Sequence, residues 1–161
     1  MVATGCWHTG LRWTAKVAVV AVLVGGSAAK ASSPDETVMD AAALINLEQR
    51  AEHADPREQC FLYTELLHGF TELAGRQLAA GQESDAAATV RRMDGIAVKV
   101  QQMTVKNGKQ LQKAEELMEH VTRRLSDMAR VASGDERSVM QSTLTHLNQV
   151  HSSLLAMVFR Q

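Results

Sequence analysis

The chain has 161 residues, 45% of them hydrophobic and 22% charged, which excludes disorder by composition and suits one folded domain. Its formal net charge of −1 at pH 7 excludes the strongly basic balance of a general nucleic-acid binder. Two cysteines exclude a disulfide-stapled miniprotein.

The first sixteen residues carry Arg12 and Lys16 and no acid. "VAVVAVLVGGSAA" comes next, 13 apolar or small residues, where a bilayer-spanning helix needs about 20. Ala29-Lys30-Ala31 then offers a small-x-small cleavage site before "SSP". This pattern predicts a signal peptide over residues 1–31, removed after Ala31, and export to the periplasm or beyond. Cys6 precedes the apolar run rather than closing it, which argues against a lipoprotein.

Residues 32–161 are then expected to form a single helical domain. Three Lys/Arg leave with the leader, so 14 face 18 acids, net −4. The remaining aromatic rings are Phe61, Tyr63, Phe70 and Phe159, a thin set for a pocket that stacks sugars, bases or flavins. Cys60 is the one cysteine left, so no intrachain disulfide is available, and its neighbours Phe61 and Leu62 predict a buried thiol.

Good helix formers dominate, and no segment after residue 32 shows β-type alternation, so the fold class is all-α. Ser33-Pro34-Asp35-Glu36 is a capping box with proline at the first helical position. Asp55-Pro56-Arg57-Glu58 repeats that arrangement. Gly81 suits a left-handed helix end, Ser84 can cap the next helix, and Ser133-Gly134-Asp135-Glu136 offers a further start. These signals predict helices over about 35–53, 57–80, 84–132 and 136–159.

The span 84–132 contains Asn107-Gly108, a strong turn signal. Yet the apolar spacing Val90, Met93, Ala97, Val100, Thr104, Asn107, Leu111, Ala114, Met118, Val121, Leu125, Met128 keeps heptad phase through it. A helix starting at Gly108 would also put Lys109 and Lys113 near its positive end. Asn and Gly in a helix interior cost roughly 1.5 kcal/mol relative to alanine, which packing can offset. The expectation is therefore one long helix, a rod of roughly 75 Å, with three shorter helices on it in an antiparallel, coiled-coil-like bundle. Residues 35–85 are net −8 and residues 91–130 net +4. Folding the second helix back along the third through the Gly81 turn would set these charges side by side.

Few residues carry candidate chemistry. Glu65-Leu66-Leu67-His68 is a Glu-x-x-His step, the kind that di-metal bundles use in pairs. Only one step is present, and Glu65, His68 and Glu72 sit beside the apolar stripe, where a solvated polar edge is the plainer reading. Glu116 and His120 lie one turn apart, although Glu119 is better placed to pair with Arg123. Glu65, His68, Glu116 and His120 are thus the metal-ligand candidates, and uniting them requires two helices in a register that spacing cannot reveal. His151 falls on the apolar stripe of the last helix, where a satisfied core-edge role is expected. Metalloprotease, paired-cysteine, nucleophile-elbow and phosphate-loop motifs are missing. No catalytic residue, cofactor or bound metal is therefore expected.

Three stretches carry a family resemblance: "AEHADPREQCFLYTELLHGFTELAGRQLAAG", "AEELMEHVTRRLSDMARVASGDERSVMQSTLTHLNQVHSSLLAMVF" and the helical link between them. They resemble a family of exported, all-helical bacterial proteins to which no activity is assigned. The resemblance implies export and a helical fold, and no reaction. The expected role is non-enzymatic protein–protein interaction or scaffolding in the cell envelope, with a protein or a second copy as partner. Nucleic acid is not expected, nor is a membrane span after leader removal. The alternative is a metal- or small-ligand-binding sensor bundle.

Overall fold

The computed structural model describes residues 39–103 and 108–159. The expected leader and the Ser33 capping box lie outside the described residues. Five helices form among the described residues: α1 Ala41–His53, α2 Pro56–Ala79, α3 Glu83–Gln101, α4 Gly108–Val131 and α5 Gly134–Val158.

Local chemistry sets most of these ends. Asp40 is extended, and its Oδ1 accepts the Ala43 N–H at 2.7 Å. The first helix therefore starts at Ala41, not near 35, because Asp40 satisfies a first-turn donor that would otherwise be orphaned. Pro56 opens α2 where its missing N–H costs nothing. At the far end Gly81 takes φ +75°; its N–H donates to the Leu78 carbonyl and the Gln82 N–H to the Gln77 carbonyl. This double closure is a Schellman turn, which needs a left-handed residue. A Cβ at Gly81 would meet no atom within 4 Å, so Gly81→Val isolates the conformational cost. We expect a loss of about 1–2 kcal/mol, read from the urea midpoint at unchanged m-value.

The single long helix expected over 84–132 is divided. Gln102 closes the last turn of α3 through Val98, and Met103 is no longer helical. Helix α4 starts at Gly108 in spite of Lys109 and Lys113 near its positive end. Moreover, α4 runs opposite to α3. Tyr63, Phe70 and Gln77 of α2 meet Lys99, Arg92 and Thr89 of α3, an antiparallel order. His68, Glu72 and Gly75 of α2 meet His120, Arg124 and Met128 of α4, a parallel order. The heptad phase survives the break because α3 and α4 each turn their stripe toward the same core. Continuity of phase therefore reports a shared interior and not one unbroken backbone.

Helices α2–α5 occupy the corners of a square, with α2 beside α3 and α4, and α5 completing it against both. The antiparallel hairpin α2–α3 lies alongside the antiparallel hairpin α4–α5, and α3 and α4, joined in sequence, are diagonal. Helix α1 packs on the outside of α2. It approaches closely at Gly69, where a Cβ would collide with Leu44 Cδ2.

The interior is aliphatic: Leu66, Leu67, Val90, Met93, Leu111, Met118, Leu125, Met140, Leu147 and Leu154 are all buried. Buried hydroxyls are satisfied locally, Thr64 donating to the Cys60 carbonyl and Thr71 to that of Leu67. As expected, α2 folds back on α3 through the Gly81 turn. Two of the three cations of α3, however, find their acids on α1: Arg92 pairs with Glu48 and Lys99 with Glu52, each at 3.2 Å. None of the described helices is long and apolar enough to cross a membrane.

Candidate functional site

Helical spacing writes two short ladders of polar side chains. On α2, Glu65, His68 and Glu72 stand three and four residues apart; on α4, Glu116, His120 and Arg124 stand four apart. Because α2 and α4 run parallel, the ladders face each other in step. They meet in a groove lined by Phe61, Glu65, His68, Lys113, Glu116 and His120. All four ligand candidates read from the sequence thus line one groove.

Within it the His68 and His120 rings lie 5.0 Å apart, tilted by 55°. The carboxylate that converges with both rings is that of Glu72, which lies beyond the four candidates read from the sequence. Glu72 Oε1 is 3.7 Å from His120 Nε2 and also 3.7 Å from Arg124 Nε. One nitrogen from each imidazole and one Glu72 oxygen all lie within 4.8 Å of one another. The Glu72 side chain is 21% exposed and that of His120 52%, so the cluster forms a half-open rim.

Two imidazoles and a carboxylate are the donor set of borderline divalent ions such as zinc, copper and nickel. A tetrahedral ion with bonds of about 2.0–2.1 Å holds its ligand atoms about 3.4 Å apart. The three side chains must therefore close by up to roughly 1.4 Å, within reach of side-chain rotation. The donor types suit such an ion, and the spacing is wider than the bound geometry requires.

Sequence reading found His68 and His120 but not Glu72 as their companion or Arg124 as its neighbour. The usable signal was the His68/Glu72 spacing of one turn, a chelating step on a helix. Only the pairing of α2 with α4 singles out that step.

Three further histidines among the described residues are engaged elsewhere, and His53 Nδ1 lies 2.8 Å from the Gln49 carbonyl oxygen within α1. His146 Nδ1 is 2.8 Å from Asp94 Oδ1 across α5–α3, and His151 Nε2 is 2.9 Å from Glu115 Oε1 across α5–α4. His151 is accordingly the satisfied core-edge residue its position on the stripe suggested. Glu119 pairs with Arg123 on the surface of α4. Burial pushes the Cys60 thiol up to about 11, which makes it a poor nucleophile at neutral pH. Compared with protein-family models, curated proteins and solved structures, the chain matches none.

Proposed function

We propose that this chain is an exported helical module that binds a divalent transition-metal ion of the zinc, copper or nickel class at His68, Glu72 and His120. One observation carries the reading: two imidazoles and a carboxylate from two different helices converge within 4.8 Å. An ion there would bridge the α2–α3 hairpin to the α4–α5 hairpin, so occupancy would tighten the bundle. That is the behaviour of a carrier or sensor. Three protein ligands leave a coordination position for water or for a partner's side chain, which keeps a role for the expected protein partner or second copy. The leader-like pattern of residues 1–31 and the family resemblance support action outside the cytoplasm.

The interaction-scaffold reading drew on the extended heptad stripe over 84–132, on the few aromatic residues and on the missing catalytic motifs. With that stripe shared between α3 and α4 and turned inward, the first of these supports is weakened. The metal-binding alternative takes precedence.

The test is thermal melting with added zinc, copper, nickel or iron, paired with calorimetric titration. A ligand present at a hundredfold excess over its Kd stabilises by about 2.7 kcal/mol, a midpoint rise of roughly 10 °C for a domain of this size. We expect such a rise with at least one of the first three ions, and its loss in His68→Ala/His120→Ala. An unmoved midpoint with every ion overturns the reading.

A further inference from the structure

We infer that Arg124 is a resident counter-cation that an incoming metal must displace from Glu72, and that it sets the affinity of the site. The inference rests on the metal-binding reading above. Glu72 sits where α2 and α4 are closest in chemistry, and a single oxygen, Oε1, faces both His120 Nε2 and Arg124 Nε at 3.7 Å. The carboxylate therefore serves two claimants, the imidazole edge of the metal cluster and a permanent guanidinium charge.

The structure gives the guanidinium a seat. Arg124 lies one turn beyond His120 on α4, opposite Gly75, which is one turn beyond Glu72 and two beyond His68 on α2. The Arg124 Nη2 and Nε atoms are 3.4 and 3.8 Å from where a Gly75 Cβ would stand. These are ordinary contact distances, so Arg124 lies directly against α2 at Gly75 while its Nε faces Glu72 at 3.7 Å. A second groove opens on its other side, lined by Leu78, Asp127, Met128 and Val131. When a divalent ion takes Glu72, two cations would crowd one carboxylate. The guanidinium then has a place to turn, toward that groove, where Asp127 already pairs with Arg130 at 3.4 Å and would be shared. Metal uptake and Arg124 release are thus two halves of one exchange.

Nearby Arg123 provides an internal control. It carries the same charge on the preceding residue of α4, but it pairs with Glu119, on the same helix. Removing either arginine changes the net charge equally. Only Arg124 removal frees the site's own carboxylate.

The experiment is calorimetric titration of the full chain with zinc chloride alone, for wild type, Arg124→Gln, Arg124→Lys and Arg123→Gln. Arg124→Gln is expected to tighten zinc binding about three- to tenfold, the scale of a half-exposed ion pair plus relief of cation repulsion. Arg124→Lys should restore affinity toward wild type, and Arg123→Gln should stay within about twofold. Wild type that binds zinc while Arg124→Gln binds no tighter overturns the inference and leaves the site standing. Equal tightening by Arg123→Gln also overturns it, since bulk charge would then suffice. Wild type that binds no zinc overturns the inference, while the site itself falls only if copper and nickel, titrated in the same way, bind no better.

Discussion

Leu66→Ala is expected to destabilise the bundle by about 3 kcal/mol, within the range of about 2–5 kcal/mol seen when a buried leucine is truncated. Leu66 has no exposed surface. It lies on α2, the helix that carries α1 on its outside and packs against both α3 and α4. A helix held from three sides cannot move inward to fill a void, so the cavity term is retained in full. Ile45, 52% exposed on α1, supplies the contrast. Ile45→Ala should change stability by no more than about 0.5 kcal/mol. Denaturant midpoints at constant m-value measure both. A Leu66→Ala cost below about 1 kcal/mol, half the low end of that range, would mean that α2 is not the central element of the bundle.

Alkaline pH should erode the fold through Cys60. The thiol is buried, and burial raises it from an ordinary 9.0 to about 11. Below pH 9 the native and unfolded chains both hold the proton, and the stabilisation tied to this group is fully present. Between pH 9 and 11 the unfolded chain releases the proton while the native chain keeps it, so stability falls as pH rises. At about 1.4 kcal/mol per unit, the loss approaches roughly 2–3 kcal/mol near pH 11. Cys60→Ala removes this component and leaves every other alkaline titration in place. The stability advantage of wild type over Cys60→Ala should therefore shrink steadily from about pH 8 to 11. A difference that stays constant over that interval would show that the thiol is not held in a buried environment. The same burial lowers the thiolate fraction at about pH 8 roughly a hundredfold, so native protein should alkylate far more slowly than denatured protein.

What could be read before folding divides along a physical line. Signals that act within one turn were legible: proline behind Asp55 and the left-handed glycine at 81. Each rests on backbone donors and acceptors that a few adjacent residues satisfy. The last helix starts at Gly134 rather than at 136, and the Ser133 hydroxyl donates to Glu83 instead of capping it. The break between α3 and α4 was hidden by a longer-range coincidence. Both helices bury a stripe in one core, so their spacing agrees across the gap as it would in a single rod. The local penalty of Asn107-Gly108 was the better guide. Lys113, placed against the helix dipole, has its ammonium 5.8 Å from the centre of the Phe61 ring on α2, a contact invisible from the sequence of α4 by itself. The site divides in the same way. His68 and His120 stand out as residue types, but their meeting depends on which helix neighbours which, and in what direction. Glu72 acquires its role only from that pairing.

The division into two matched hairpins bears on cooperativity. Leu66, Leu67 and Met93 in the first half, and Met118, Leu125 and Leu147 in the second, are buried in the complete bundle, whose halves pack through α2–α4 and α3–α5. A lone helical hairpin exposes that whole face and has little to hold it in water. Neither half would survive alone. Melting should therefore proceed in one step, and a chain severed between residues 103 and 108 should regain its helicity only when its two fragments are mixed in equal amounts.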